Sequence, residues 1–471
     1  MQTEQELDVQ IDRFIKENEL QFLNDLHRVL SIGSVRAEPK GKMRFGENCG
    51  KMLDAMLQMG KDYGFTAKNG DYYYGVLSMG DTENSLGMIC HLDVVPAGEG
   101  WTVPPFGLTQ KGGYCLGRGV EDDKGPALCA LYAMRFLKEH SLPMKHGAQL
   151  VLGSDEESGM SDIRQFLKNE PLPVFSFTPD ADYPVCHGEK GIFEADIVLD
   201  GIGKSIADFT GGVAANVVPA KASVTLKNHT SQSLEVILKE NSKTFEFDDT
   251  KDGVKITASG VAAHAASPEK GVSAIGLLVS LLCDYSLAEE SELSALRFIR
   301  SILDNYKGSG LSIPFEDKES GYTTCIAGKI KAENEKLILN INIRYAVTQD
   351  GDRMAARIEE ICAENGAVLQ IHSNSKPHFI SADTPVVKEL TKISNQVLGT
   401  NKKSYVMGGG TYARRIPNCV AFGPNDSSRK KPFPAGTGDI HQPDEAAELS
   451  LMLQSIKIFI RALLAMDQLV K

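Results

Sequence analysis

A mostly parallel α/β sheet, interrupted by an inserted α+β domain, is the architecture that the 471-residue sequence predicts. Three observations lead there. Short apolar runs that read as buried strands alternate with helical patterns from residue 72 to residue 180. Carboxylates and a histidine stand at or just past the ends of those runs, the edge at which open α/β sheets bind ligands. From about 192 to 377 the chain changes to alternating strands and amphipathic helices, then returns to helix, short strand, glycine loop and helix. The expected division is 1–186 and 378–471 for the α/β domain and 187–377 for the insert, since a chain this long exceeds one ordinary core.

Residues 3–31 carry an apolar stripe of Ile11, Phe14, Ile15, Leu20, Phe22, Leu23 and Leu26 at helical spacing, broken by Gly33. A second helix is expected from Gly50 to Tyr63 and a strand from Tyr72 to Met79. Met88-Ile-Cys-His91-Leu-Asp93-Val-Val-Pro96 is an apolar run closed by proline and reads as a buried strand, with His91 and Asp93 on one face. Gly117–Pro126 is a polar, glycine-punctuated loop that feeds the apolar helix Ala127–Leu137, with Pro126 in its first turn. Ala148–Gly153 and Val174–Asp180 are further strands, the first running into Ser154-Asp-Glu156-Glu157-Ser-Gly159. The insert shows strands at Phe193–Leu199, Ala222–Leu226, Val254–Ser259 and Leu337–Tyr345, and helices at Ser273–Tyr285 and Asp352–Glu364. Behind it come Thr384–Leu398, Ser404–Val406, Gly408–Gly410 and Glu445–Leu469.

Composition narrows the partners. Fifty Lys+Arg against 62 Asp+Glu leave a net charge of −12, which argues against nucleic acid or an anionic membrane. Nine scattered cysteines without a Cys-x-x-Cys pair suit a reducing cytoplasm. The first seven residues lack the basic start and apolar core of a signal peptide, and no apolar run approaches the ~18–20 residues that span a bilayer.

His91, Asp93, Asp122, Glu156, Glu157 and Asp180 stand at strand ends, joined late in the chain by His441. Taken alone, His91-x-Asp93 also reads as a hydrogen-bonded core pair, and Glu156-Glu157 as a solvated helix start. Together, imidazole and carboxylate donors suit Zn²⁺, with Mn²⁺ or Co²⁺ as alternatives. Converging acids would repel, and two divalent cations sharing a bridging carboxylate would relieve the repulsion. Gly408–Gly410 lacks a following Lys-Ser/Thr, so its amides suit a substrate terminus better than a phosphate.

The motifs His91-Leu-Asp-Val-Val-Pro, Gly117-Arg-Gly-Val-Glu-Asp-Asp-Lys-Gly, Ser154-Asp-Glu-Glu-Ser-Gly, Pro179-Asp180, Ala262-Ala-His264-Ala-Ala-Ser-Pro and the late His441 occur in this order. In this the sequence resembles the dinuclear zinc peptidase family that includes carboxypeptidase G, aminoacylase, succinyl-diaminopimelate desuccinylase and the PepV-type bacterial dipeptidases. The His187-Gly-Glu-Lys-Gly segment, the long insert and Gly408-Gly-Gly-Thr-Tyr-Ala-Arg414 look closest to the PepV type. The resemblance implies a phosphorylase/hydrolase-like catalytic domain with an inserted lid and two Zn²⁺ per chain. His91 and Asp180 would hold one ion, Glu157 and His441 the other, with Asp122 bridging. Asp93 would accept a hydrogen bond from the far nitrogen of His91. Glu156 would be the general base on a metal-activated water. The resemblance also implies that His264 and Asn216 stabilise the oxyanion and that Arg344 clamps the substrate carboxylate, with Gly410 and Thr411 near a substrate terminus. Read alone, His264 is a capped loop histidine and Arg344 a surface strand charge. The insert is longer than the single lid of dimeric relatives, so a monomer is expected, with His264 acting within its own chain as a hinge closes.

The activity expected from the resemblance is hydrolysis of dipeptides with a free N-terminus. An N-acyl-amino-acid amidohydrolase on the same fold is the alternative, and a non-catalytic metal or peptide binder the second alternative. An intact Glu156 argues against a binder, which would have no need of a base.

Overall fold

The computed structural model describes residues 4–241 and 244–470, and the chain divides into two compact units. The first comprises Met1–His187, Ile380–Tyr405 and Gly410–Lys471; the second comprises Gly188–Phe379 and Val406–Gly409.

In the first unit, six strands lie in the order Thr66–Gly70, Tyr74–Met79, Gly147–Gly153, Ser85–His91, Phe175–Thr178 and Cys419–Ala421. The three central pairings are parallel and those at the Thr66–Gly70 side antiparallel. Alternation sorts the side chains. Met88, Cys90, Leu150, Leu152 and Phe177 pack against the helices Glu4–Leu30, Glu47–Asp62, Lys124–Glu139, Pro385–Leu398 and Leu449–Leu469. Ile89, Val151 and Val76 face the other way, onto the helix Ser161–Asn169 and the short turn Tyr412–Arg414. His91, one step beyond Cys90, falls on this second face, where its ring meets Tyr412 edge-on at 6.4 Å.

Two strand expectations need adjusting. The strand around His91 ends at that residue, so Asp93 lies past it in the loop rather than on the same pleat. Thr66–Gly70 was not expected, because its polar Thr-Ala-Lys-Asn-Gly lies on an exposed edge and carries no apolar alternation. The first helix runs Glu4–Leu30; its expected start at residue 3 lies outside the described residues, as does part of the N-terminal stretch read for a signal peptide.

Leu449–Leu469 corrects another expectation. By length and composition it could cross a membrane, although no unbroken apolar run of that length exists. Here it is a core helix: Met452, Ile456, Phe459, Leu463 and Met466 are buried, and Lys457 reaches the exposed flank to pair with Asp12 at 2.8 Å.

The second unit is an eight-stranded antiparallel sheet in the order Phe245–Thr250, Gly253–Ser259, Lys221–Leu226, Ile206–Gly211, Thr324–Glu333, Lys336–Tyr345, Gly191–Asp200 and Ala367–Ser375. The helices Ala274–Asp284, Glu290–Leu303 and Gly351–Glu364 contribute to the core on one face. The other face carries polar pairs such as Asn340–Asp196 (2.8 Å) and His372–Asp196 (3.0 Å). Glu292 anchors this unit: fully buried, it accepts the backbone N–H groups of Gly203, Lys204, Ser205 and Ile206 at 2.9–3.2 Å. Burial alone would raise its pKa, but those N–H groups outweigh burial and hold it below the usual carboxylate range.

Replacing Glu292 by Gln is expected to cost about 2–3 kcal/mol, because the buried amides lose a charged acceptor. Since the folded pKa is depressed, that contribution is complete above the unfolded value of about 4.3 and lost as pH falls through the folded value. Urea midpoints of wild type and variant should therefore converge in acid, and a pH-independent gap would contradict this assignment.

Candidate metal centre

The parallel strands Ser85–His91, Gly147–Gly153 and Phe175–Thr178 place their C-terminal ends along one edge of the sheet. From that edge come His91, the last residue of its strand, then Glu156 and Glu157 in the loop after Gly153, and Asp180 two residues past Thr178. Asp122 arrives from the loop before the helix Lys124–Glu139, followed by a cis peptide bond to Asp123. His441 enters from the C-terminal part of the chain in a left-handed conformation, φ 61°.

Asp122 sits between the two imidazoles. His91 Nε2 lies 2.8 Å from its Oδ1, and His441 Nε2 lies 3.1 Å from its Oδ2. The same His441 nitrogen is 3.0 Å from Glu157 Oε1. Ligand atoms of His91, Asp122 and Glu157 lie within 4.8 Å of one another, and so do those of His91, Glu156 and Asp180. His91, Asp122, Glu156, Glu157, Asp180 and His441 are thus brought together, with His91 belonging to both groups.

Their electrostatics follow from crowding. Five carboxylates, counting Asp93, surround two imidazoles. Burial opposes charging His91, but Asp122 and Asp93 push its pKa well above the usual imidazole value. Asp122 and Glu157 raise that of His441 to about 10. Burial raises the Glu156 carboxyl well above its ordinary value, and the neighbouring anions Asp180, Asp122 and Glu157 add to this. An anionic knot of imidazole nitrogens and carboxylate oxygens at these spacings fits divalent cations. No thiolate competes: Cys90, next to His91, points into the core.

Backbone groups of the loops are also held. His91 Nδ1 is nearest the Asp93 carbonyl oxygen (3.0 Å), with the Asp93 carboxylate at 3.5 Å. That carboxylate accepts the backbone N–H groups of Glu156 and Glu157, each at 3.2 Å. Asp123 accepts from His91 N at 3.0 Å. Buried Asp162 accepts from Ser154 N (2.6 Å) and Asp155 N (2.7 Å) and takes a hydrogen bond from Tyr412 OH. Gly153 permits this, since a Cβ there would lie 2.0 Å from the Tyr412 oxygen. Sequence reasoning missed Asp162, Tyr412 and Glu445. The partners of both carboxylates include backbone amides, which leave no side-chain pattern to read.

In the second unit, His264 pairs with Val217 in a two-stranded ladder, and Ala265 N donates to Asn216 O at 2.9 Å. Burial, then the charge of Arg344, lowers the His264 pKa, which favours a neutral ring. Arg344 is buried rather than a surface charge, donating from Nε to Asn342 Oδ1 and from Nη1 to Gly408 O, both at 3.0 Å. Thr411, in the first unit, is buried and caps the turn Tyr412–Arg414 by accepting from Ala413 N at 3.1 Å; Gly410 leaves room for the Arg414 side chain.

A mixed sheet whose C-terminal edge gathers histidines and carboxylates, joined to an antiparallel α+β unit, defines a metallohydrolase. The chain belongs to peptidase family M20/M25/M40, whose profile matches residues 87–465, and it is a metal-dependent peptidase. It is 32% identical over 460 residues to "Putative dipeptidase YtjP" of Bacillus subtilis, covering 94% of this chain and 96% of that one. Among solved structures, human carnosine dipeptidase 1 shares the fold at a TM-score of 0.60 and 13% identity, covering 98% of each chain. Aminoacylhistidine dipeptidase from Vibrio alginolyticus does so at 0.57 and 13%, covering 95% of this chain and 96% of that one.

Metal-stripped protein is expected to gain thermal stability when Zn²⁺ or Mn²⁺ alone is restored, by about 2.7 kcal/mol at a hundredfold excess over Kd. Asp122→Asn should lose most of that gain in a differential scanning experiment. A melting temperature indifferent to added metal would contradict the site.

Proposed function

We propose that the protein is a dipeptidase that hydrolyses dipeptides with a free N-terminus, working as a single chain in the cytoplasm with two divalent cations, Zn²⁺ or Mn²⁺. The observation that carries this reading is Asp122 lying between His91 and His441, with Glu156 beside His91. The similarity along nearly the full chain to a relative named as a dipeptidase supports the substrate class. The cysteines, buried at eight of nine positions and scattered without a Cys-x-x-Cys pair, support a reducing compartment.

His91 and Asp180 would hold one ion and Glu157 and His441 the other, with Asp122 shared. Divalent cations in such a site supply Lewis acidity, lowering the pKa of water and polarising a carbonyl. Glu156, left out of the ligand set, takes a proton from the attacking water on its carboxylate and passes it to the leaving amine nitrogen. Asp93 steadies His91 and the backbone of Glu156 and Glu157. In the second unit, neutral His264, with Asn216, donates to the oxyanion, and Arg344 pairs with the substrate carboxylate.

Glu156→Gln should keep the wild-type metal content and lower kcat on an alanine dipeptide by ~10²–10⁴. Unchanged turnover would remove Glu156 from the mechanism. On the wild type, faster cleavage of N-acetyl amino acids than of free dipeptides would favour an amidohydrolase instead, and no cleavage of either would favour a binder. Arg344→Met should raise KM for dipeptides with a smaller effect on kcat, checked by steady-state kinetics on the same substrate.

A further inference from the structure

Four residues after His441, the fully buried Glu445 points its carboxylate into the loop that carries Asp122. Its Oε1 accepts the backbone N–H groups of Gly119 (3.1 Å), Glu121 (3.0 Å) and Asp122 (3.3 Å). Its Oε2 accepts from Arg118 Nη1 at 2.6 Å. Arg118 is itself buried, with its guanidinium 5.2 Å from the ring centre of Trp101 and Nη2 reaching Ala97 O at 3.4 Å. The Glu445 main chain adds to the grip, its carbonyl accepting from Gly117 N at 3.0 Å, while Ala446 pairs with Leu116. Lys431 ties the same two segments a second time, donating to Glu121 and, at 2.9 Å, to Gly438 O.

The arrangement does more than neutralise a buried arginine, which a single oxygen would achieve. The second oxygen gathers the amides on both sides of the turn and that of Asp122 itself. Because Glu445 and His441 share one short segment, this holds the Asp122 backbone at a set distance from His441, whose Nε2 lies 3.1 Å from Asp122 Oδ2. We propose that Glu445, clamped by Arg118, is a positioning residue that sets the spacing between Asp122 and His441 and so the affinity for the cation those two residues would hold with Glu157. This rests on the reading of Asp122 and His441 as metal ligands. Groups that orient a ligand without touching the metal typically govern affinity by 10–100-fold.

The test is isothermal titration of Zn²⁺ alone, and of Mn²⁺ alone, into metal-stripped wild type and Glu445→Gln, with melting temperatures of the metal-free proteins. The glutamine keeps one carbonyl oxygen for the three amides but presents no charge to Arg118. The expected result is a ~10–100-fold weaker affinity at one of two sites with the other little changed, beside a lower metal-free melting temperature, because the buried Arg118 loses its carboxylate. Arg118→Lys, which keeps the three backbone bonds, should weaken the same site and serves if Glu445→Gln does not fold. Wild-type affinities at both sites in the variants would overturn the proposal. So would equal weakening at both sites, the mark of a purely structural role. A wild type that binds fewer than two ions would overturn the two-metal reading and this proposal with it, whereas two ions in the wild type and an unaffected variant overturn this proposal alone.

Discussion

Everything at the candidate centre depends on buried carboxylates that take hydrogen bonds from loop backbones. Where a strand ends, the next residues lose their ladder partners, and their N–H groups need acceptors in a region with little water. Asp93 serves Glu156 and Glu157, Asp162 serves Ser154 and Asp155, Asp123 serves His91, and Glu445 serves Gly119, Glu121 and Asp122. Burying a charge is costly, but the two or more bonds that Asp93, Asp162 and Glu445 each accept offset much of that cost, while Asp123 accepts one. In return, the loops take one conformation. The side chains above them are therefore aimed before any cation or substrate arrives, which is the condition for a site that binds without reorganising.

The sheet sets the direction in which they are aimed. Residues 88, 90, 150 and 152 fill the large helical layer, while residues 89 and 151 face the thinner layer of Ser161–Asn169 and Tyr412–Arg414. His91 continues the second series and meets Tyr412, whose hydroxyl is held by Asp162. Core packing and ligand orientation thus share residues. A side chain at Gly153 would displace the Tyr412 hydroxyl and with it the loop that bears Glu156 and Glu157.

The α/β class was legible because the central strands Ser85–His91, Gly147–Gly153 and Phe175–Thr178 are buried on both faces, and their apolar residues stand out from polar flanks. The imidazoles and carboxylates at their ends were legible for the same reason, as polar groups abutting apolar runs. Two kinds of feature were not. An edge strand such as Thr66–Gly70 carries a polar sequence that resembles a loop, because only pairing makes it a strand. Asp162 and Glu445 look like ordinary acids near a helix start, and their partners include backbone amides, for Glu445 more than 300 positions away. The core role of Leu449–Leu469 was likewise hidden, since Lys457 and Arg461 interrupt the apolar run while lying on its outer flank.

The reading proposed above puts one cation on each side of Asp122. Anomalous X-ray scattering at the zinc edge, from crystals grown with Zn²⁺, is the sharpest check on that arrangement. Two peaks are expected, one beside His91 and Asp180 and the other beside Glu157 and His441, both within coordination distance of Asp122. A single peak, or a pair that leaves Asp122 without a metal bond, would contradict it.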